Sequence, residues 1–105
     1  MITVLVQYKL RDGTTREQAR KSSEAAAPRF QGLDGLYRKC FLYQESGTGG
    51  GFYEWESREK AAAFHSEAWL DRMQEQMGSR PTVTYFETAV VVDNTKGDIQ
   101  IEAAE

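Results

Sequence analysis

The chain has 105 residues, a formal charge of −3, and hydrophobic and charged fractions ordinary for a soluble globular protein. That length suits one domain with one modest core, and the weak negative charge gives no electrostatic reason to expect nucleic acid or an anionic membrane as partner. A single cysteine cannot close an internal disulfide. With no basic-then-apolar start and no apolar run longer than Ala89 to Val92, the expectation is a soluble, cytoplasmic protein.

Ile2 to Leu10 alternates with period two, placing Ile2, Val4, Val6, Tyr8 and Leu10 on one face of a strand. Asp12-Gly13 supplies a turn. Thr14 stands three residues before Glu17 and Thr15 three before Gln18, so a capping box opens a first helix. Its inward stripe is Ala19, Ser23, Ala26 and Phe30, and Pro28 bends or frays its last turn. Leu36 to Gln44 reads as a second strand, with Tyr37, Lys39, Phe41 and Tyr43 on one side. Glu45 to Gly51 reads as a glycine-rich hairpin loop into a third strand, Phe52 to Glu56. Ser57 caps a second helix expected to run to about Met77, with Gly78 as its stop. Thr82 to Asp93 reads as one long fourth strand. The division expected is a domain over 1–94 and an acidic tail over 95–105, either disordered or laid as an arm on a partner.

The order β-α-β-β-α-β is the split βαβ pattern: an α+β, ferredoxin-like chain with a four-stranded antiparallel sheet and two helices on one face. An antiparallel sheet with one wet face alternates cleanly, yet strands one, two and four carry apolar or aromatic residues on both faces. A second copy of the chain is the simplest cover, which predicts a homodimer packed through its sheet faces.

The chemistry-bearing residues concentrate between Gly50 and Trp69. His65, the only histidine, falls in the apolar stripe of the second helix with Ala61, Ala62, Ala68, Trp69 and Met73, and Arg72 follows on the same side. Such a histidine is either an acid, base or donor facing a pocket, or a core imidazole bonded to a neighbour. The small residues of the first helix either pack tightly on the sheet or leave room for a small apolar or aromatic ligand. Tyr8, Tyr53, Trp55, Phe64, Trp69 and Arg72 are the candidate binding residues and His65 the candidate catalytic one. Cys40 lies in a strand and reads as a small buried hydrophobe. One Cys and one His cannot make an ordinary structural zinc site, so no metal is expected. Arg38, Lys39, Arg58 and Lys60 read as solvated charge.

Gly35-Leu36 leading a strand, Gly50-Gly51-Phe52-Tyr53-Glu54-Trp55-Glu56-Ser57-Arg58-Glu59, then Ala61-Ala62-Ala63-Phe64-His65 and Trp69 resemble the dimeric α+β barrel superfamily. Within it the chain is most similar to the YdhR-type monooxygenase-like proteins, near the antibiotic biosynthesis monooxygenase domains. The resemblance implies a two-fold dimer of ferredoxin-like subunits, each with a cavity between sheet and helices. Some relatives oxidise polycyclic aromatics with molecular oxygen and no cofactor, the substrate anion itself supplying the electron. Carried over, Trp55 and Trp69 would hold substrate while His65 or a tyrosine hydroxyl steadies the anion. Haem-degrading members use a histidine well past the middle of the second helix, where this chain has Met73, Gln74 and Gln76, so haem is disfavoured. Three functions stay open: a cofactor-independent monooxygenase for a small aromatic or polyketide-like molecule, a non-catalytic dimeric small-molecule-binding protein, and a purely structural module.

Overall fold

A computed structural model describes residues 1–105. Strand β1 (Ile2–Lys9) leads to helix α1 (Arg16–Ala26), whose last turn tightens into a 3-10 segment over Ala27–Phe30. Strands β2 (Leu36–Gln44) and β3 (Thr48–Trp55) follow as a hairpin, then helices α2 (Arg58–Phe64) and α3 (Glu67–Met77), and strand β4 (Thr82–Glu87). Strands β5 (Val90–Asp93) and β6 (Asp98–Ile101) end the chain. The four-stranded sheet runs β2-β3-β1-β4 with every neighbouring pair antiparallel, consistent with the ferredoxin-like expectation. No helix is long and apolar enough to cross a membrane.

The register explains which side of the sheet is core. Ile2 lies opposite Trp55, Val4 opposite Tyr53 and Val6 opposite Gly51 on one neighbour, and Val4 opposite Tyr85 and Val6 opposite Val83 on the other. These side chains share a face, which the helices cover through Ala61 and Trp69, with Phe30, Leu33, Phe64, Leu70 and Met73 packed around them. The opposite face carries Leu5, Cys40, Leu42, Phe52 and Phe86, among which Leu42 and Phe86 are exposed. Cys40 is exposed there too, not buried as expected, because alternation sends it away from the helices.

Four local expectations are corrected. The second helix is two helices. His65 leaves helical geometry at φ −85° and ψ 52°, and Ser66 restarts the chain by accepting from Trp69 N at 3.2 Å. The break turns Ala62 and Ala68 outward while Ala61 and Trp69 stay buried, so the predicted single stripe does not form. Gly49 to Gly51 belong to β3 rather than to a loop. A side chain at Gly50 would bring its Cβ within 1.9 Å of the Val6 carbonyl oxygen, so only glycine fits that close strand approach. A register shift between Leu36 and Arg38 turns Tyr37 out to solvent while Lys39, Phe41 and Tyr43 keep the inner face. The fourth strand is divided after Glu87, its last residue paired with β1, opposite Ile2. Thr88 N donates to Met1 O, and the chain then leaves the sheet.

Residues 90–101 instead form a separate hairpin in which Val90 faces Ile101 and Val92 faces Ile99. All four are exposed. Its base is held to the body where Glu102 N donates to Ala89 O and the Met1 ammonium lies 3.5 Å from Glu102 and 3.7 Å from Glu105.

Candidate functional site

The sharp turn between α2 and α3 places His65 inward among rings. Its centroid lies 4.6 Å from Tyr53, 4.7 Å from Trp69, 4.9 Å from Phe64 and 5.7 Å from Trp55, all edge-on. The Trp55 indole N–H donates to His65 Nε2 at 3.2 Å, so Nε2 is the unprotonated nitrogen and the proton sits on Nδ1. Nδ1 is buried without a partner. Burial, with a smaller push from the Lys39 charge, pulls His65 down to about 4, so the imidazole is neutral at ordinary pH.

Beside this cluster lies a cavity of about 90 Å³ between the sheet and the helices. Tyr8, Phe30, Phe41, Tyr53 and Trp69 supply rings to its wall, Met73 and Met77 its flexible apolar side, and Lys39 and Arg29 its charges. Gly51 opens the floor, since a Cβ there would lie 2.8 Å from Tyr53 and 3.2 Å from the Lys39 chain. A wider hollow of about 810 Å³ runs between the loops around Asp12 and Ser46, but it is an open, polar groove with no enclosing wall of rings. Burial raises the phenols of Tyr8 and Tyr53, so both stay protonated hydroxyls.

The structure thus brings Tyr8, Tyr53 and Trp69 to the cavity wall. Trp55 and Phe64 stand one layer behind with His65, stacked and tilted against Tyr53. Arg72 is exposed and apart from the cavity, although its neighbours on α3, Trp69 and Met73, line it. Lys39, expected as solvated charge, is half-buried on the inner face. Its place between Tyr37 and Phe41 in an alternating aromatic strand is the signal that marks it. No three His, Cys, Asp or Glu side chains gather in an arrangement that could hold a metal.

No family model matches the chain. No curated protein matches it either. Solved structures do. A protein of unknown function from Nitrosomonas europaea aligns with a TM-score of 0.64 at 16% identity, covering 83% of this chain and 87% of that one. A candidate antibiotic biosynthesis monooxygenase from Deinococcus radiodurans aligns with a TM-score of 0.62 at 12% identity, covering 89% and 97%. A variant of SnoaB, a cofactor-independent oxygenase from Streptomyces nogalater, aligns with a TM-score of 0.57 at 12% identity, covering 83% and 91%. What this chain shares with them is the fold. Identities this low carry no residue roles across, so the chemistry must be argued from the cavity itself.

Proposed function

We propose that the protein is a cofactor-independent monooxygenase acting on a small, electron-rich aromatic bound in the cavity between sheet and helices. The observation that carries this reading is the cavity's ring-lined wall, closed on one side by β1 and β3 and on the other by α3 and the 3-10 segment. The oxygenases among the fold neighbours support it as analogues of scaffold. In the proposed reaction an activated CH₂ beside the aromatic ring gives a proton to water as the ligand enters, the resulting carbanion reduces O₂, and a proton returns from water as the peroxide forms. A C–O bond forms to give a hydroperoxide. Loss of water then leaves C=O, so one O₂ supplies one carbonyl oxygen and one water. The protein's part is to hold the ring, stabilise the anion and exclude bulk water.

In this assignment Tyr8, Tyr53 and Trp69 bind the ligand, and Trp55 and Phe64 set the wall from behind. His65 is a positioning residue that fixes the Trp55 indole, and its unpartnered Nδ1–H lies one layer from the ligand. About 90 Å³ is less than the roughly 150 Å³ of a cavity that takes benzene, so the site holds one ring at most and the flexible Met73 and Met77 side chains must give way to admit it, any larger scaffold extending past the exposed Arg29 and Gln76. A non-catalytic binding role is the second reading, favoured by the neutral His65 standing off the cavity wall. Oxygen-electrode assays across small phenols and aryl 1,3-diketones that carry an activated CH₂, with isotopically heavy O₂ and mass spectrometry, separate the two. Enzyme-dependent uptake with label in the product supports the oxygenase; saturable binding with no uptake favours the binder.

We also propose that the uncovered sheet face packs against a second copy of the chain. The exposed Leu42 and Phe86 on that face, and the exposed aliphatic block Val90, Val92, Ile99 and Ile101, support this. The β5–β6 hairpin then serves as an arm on the partner, since a free two-stranded hairpin is marginal in water.

A further inference from the structure

Lys39 stands among rings with no acid to answer its charge. Its Nζ lies 3.5 Å from the Phe30 ring centroid, 4.0 Å from Phe41 and 4.6 Å from Tyr53. Several other cations of the chain do meet an acid, among them Lys60 with Asp34 and Glu56, Arg80 with Glu67 and Asp71, and Arg20 with Glu17 and Glu24. Ring faces attract a cation but accept no strong hydrogen bond, so the ammonium keeps donor capacity that nothing in the fold uses. The cavity wall holds no Asp or Glu, and its second charge, Arg29, is also positive. The two phenols cannot act as internal counter-anions, because burial raises both. A site with two cations and no anion inside a chain of net charge −3 is a local inversion of sign.

Resting on the assignment of this cavity as the substrate site, we propose that its ligand is an aromatic acid or acidic phenol whose anionic oxygen is held by Lys39. The ligand ring lies against Tyr53 and Trp69, and Arg29 at the mouth draws the anion in. Lys39 is thereby the residue that sets specificity for charge. An empty site bears the cost of desolvation, which with the Arg29 charge brings the Lys39 amine down to about 7. An anion in contact with Nζ would raise it again. The same contact would steady an enolate or phenolate as it forms.

Calorimetric titration with salicylate and its neutral analogue salicylamide, at slightly acidic pH, tests this directly. The wild type should bind salicylate about tenfold more tightly than salicylamide, the ordinary worth of one charge-assisted hydrogen bond. Lys39→Met keeps the length and apolar stem, and should bring the two affinities together while leaving salicylamide within about twofold of wild type. Arg29→Gln alters an exposed residue, so its folding is not at stake, and it should narrow the gap in part. Equal affinities in the wild type, no binding of either probe, or an unchanged preference in both variants would overturn the proposal. The oxygenase reading fails separately. A Lys39-dependent preference without oxygen uptake leaves the charge selectivity standing and removes the chemistry. Uptake that survives Lys39→Met unchanged does the reverse.

Discussion

At the scale of single residues, His65 and Lys39 exchange the parts that their residue types suggest. The histidine, the usual acid–base residue, is enclosed by rings, and its imidazole accepts one hydrogen bond, from the Trp55 indole. The lysine, ordinarily surface charge, lines the cavity. The buried imidazole leaves a pH signature. Its ordinary pKa is 6.5 and its folded value about 4, so between those limits the unfolded chain binds more protons than the folded one. Stability should therefore fall as pH drops from 6.5 to 4, with that contribution fully lost below. Urea unfolding across this window should show the slope in the wild type and a flatter line in His65→Gln. Equal slopes would mean that the imidazole is not buried neutral. Lys39 acts in a different window, gaining stability as pH rises above about 7, so it does not mask the acid limb.

At the scale of elements, the elements most nearly anticipated were those whose signals are local. Thr15 and Gln18 form the reciprocal capping box, Thr15 accepting from Gln18 N at 3.1 Å and Gln18 from Thr15 N at 3.0 Å. Gly78 ends α3 at φ 81°, a left-handed conformation that suits glycine. The expectations that missed depend on competition between neighbours. Nothing in the 3.6-residue spacing of Ala61 to Met73 says that Ser66 will cap a new helix, and Ser57 and Ser66 are equivalent in kind. Each accepts at 3.2 Å from the backbone N–H three residues on, so Ser57→Ala and Ser66→Ala should each cost about 1 kcal/mol. Thermal melts check this. A negligible cost for Ser66→Ala would indicate that α2 and α3 join into one helix in solution. Lys39 escaped for a related reason: alternation placed it on an aromatic face, but its pairing opposite the buried Tyr53 is what puts that face under the helices.

At the scale of the molecule, the βαββαβ order and antiparallel sheet could be read from strand periodicity and turn residues. The cavity could not, because 90 Å³ is the residue of packing among Gly51, Tyr53, Lys39 and Trp69, which no spacing reveals. The hairpin over 90–101 was also hidden, since Val90 to Asp93 pair with Asp98 to Ile101 and not with β1, a choice of partner that alternation alone does not distinguish. Its exposed aliphatic block and the outer sheet face make one prediction together. Sedimentation at micromolar concentration should show a dimer, and Phe86→Lys with Val92→Lys should shift it to monomer without loss of fold. A wild type that sediments as a monomer throughout would contradict the packing.

On the proposed function an aromatic ring enters the space between sheet and helices. Phenol titrated into isotopically enriched protein and followed by amide NMR tests that most directly. Saturable shifts are expected at Gly50, Gly51, Tyr53, Phe30 and the Trp69 indole, with little change at Thr84 or Phe86 on the opposite face. No saturable shift at the cavity residues, or shifts confined to the outer face, would contradict it.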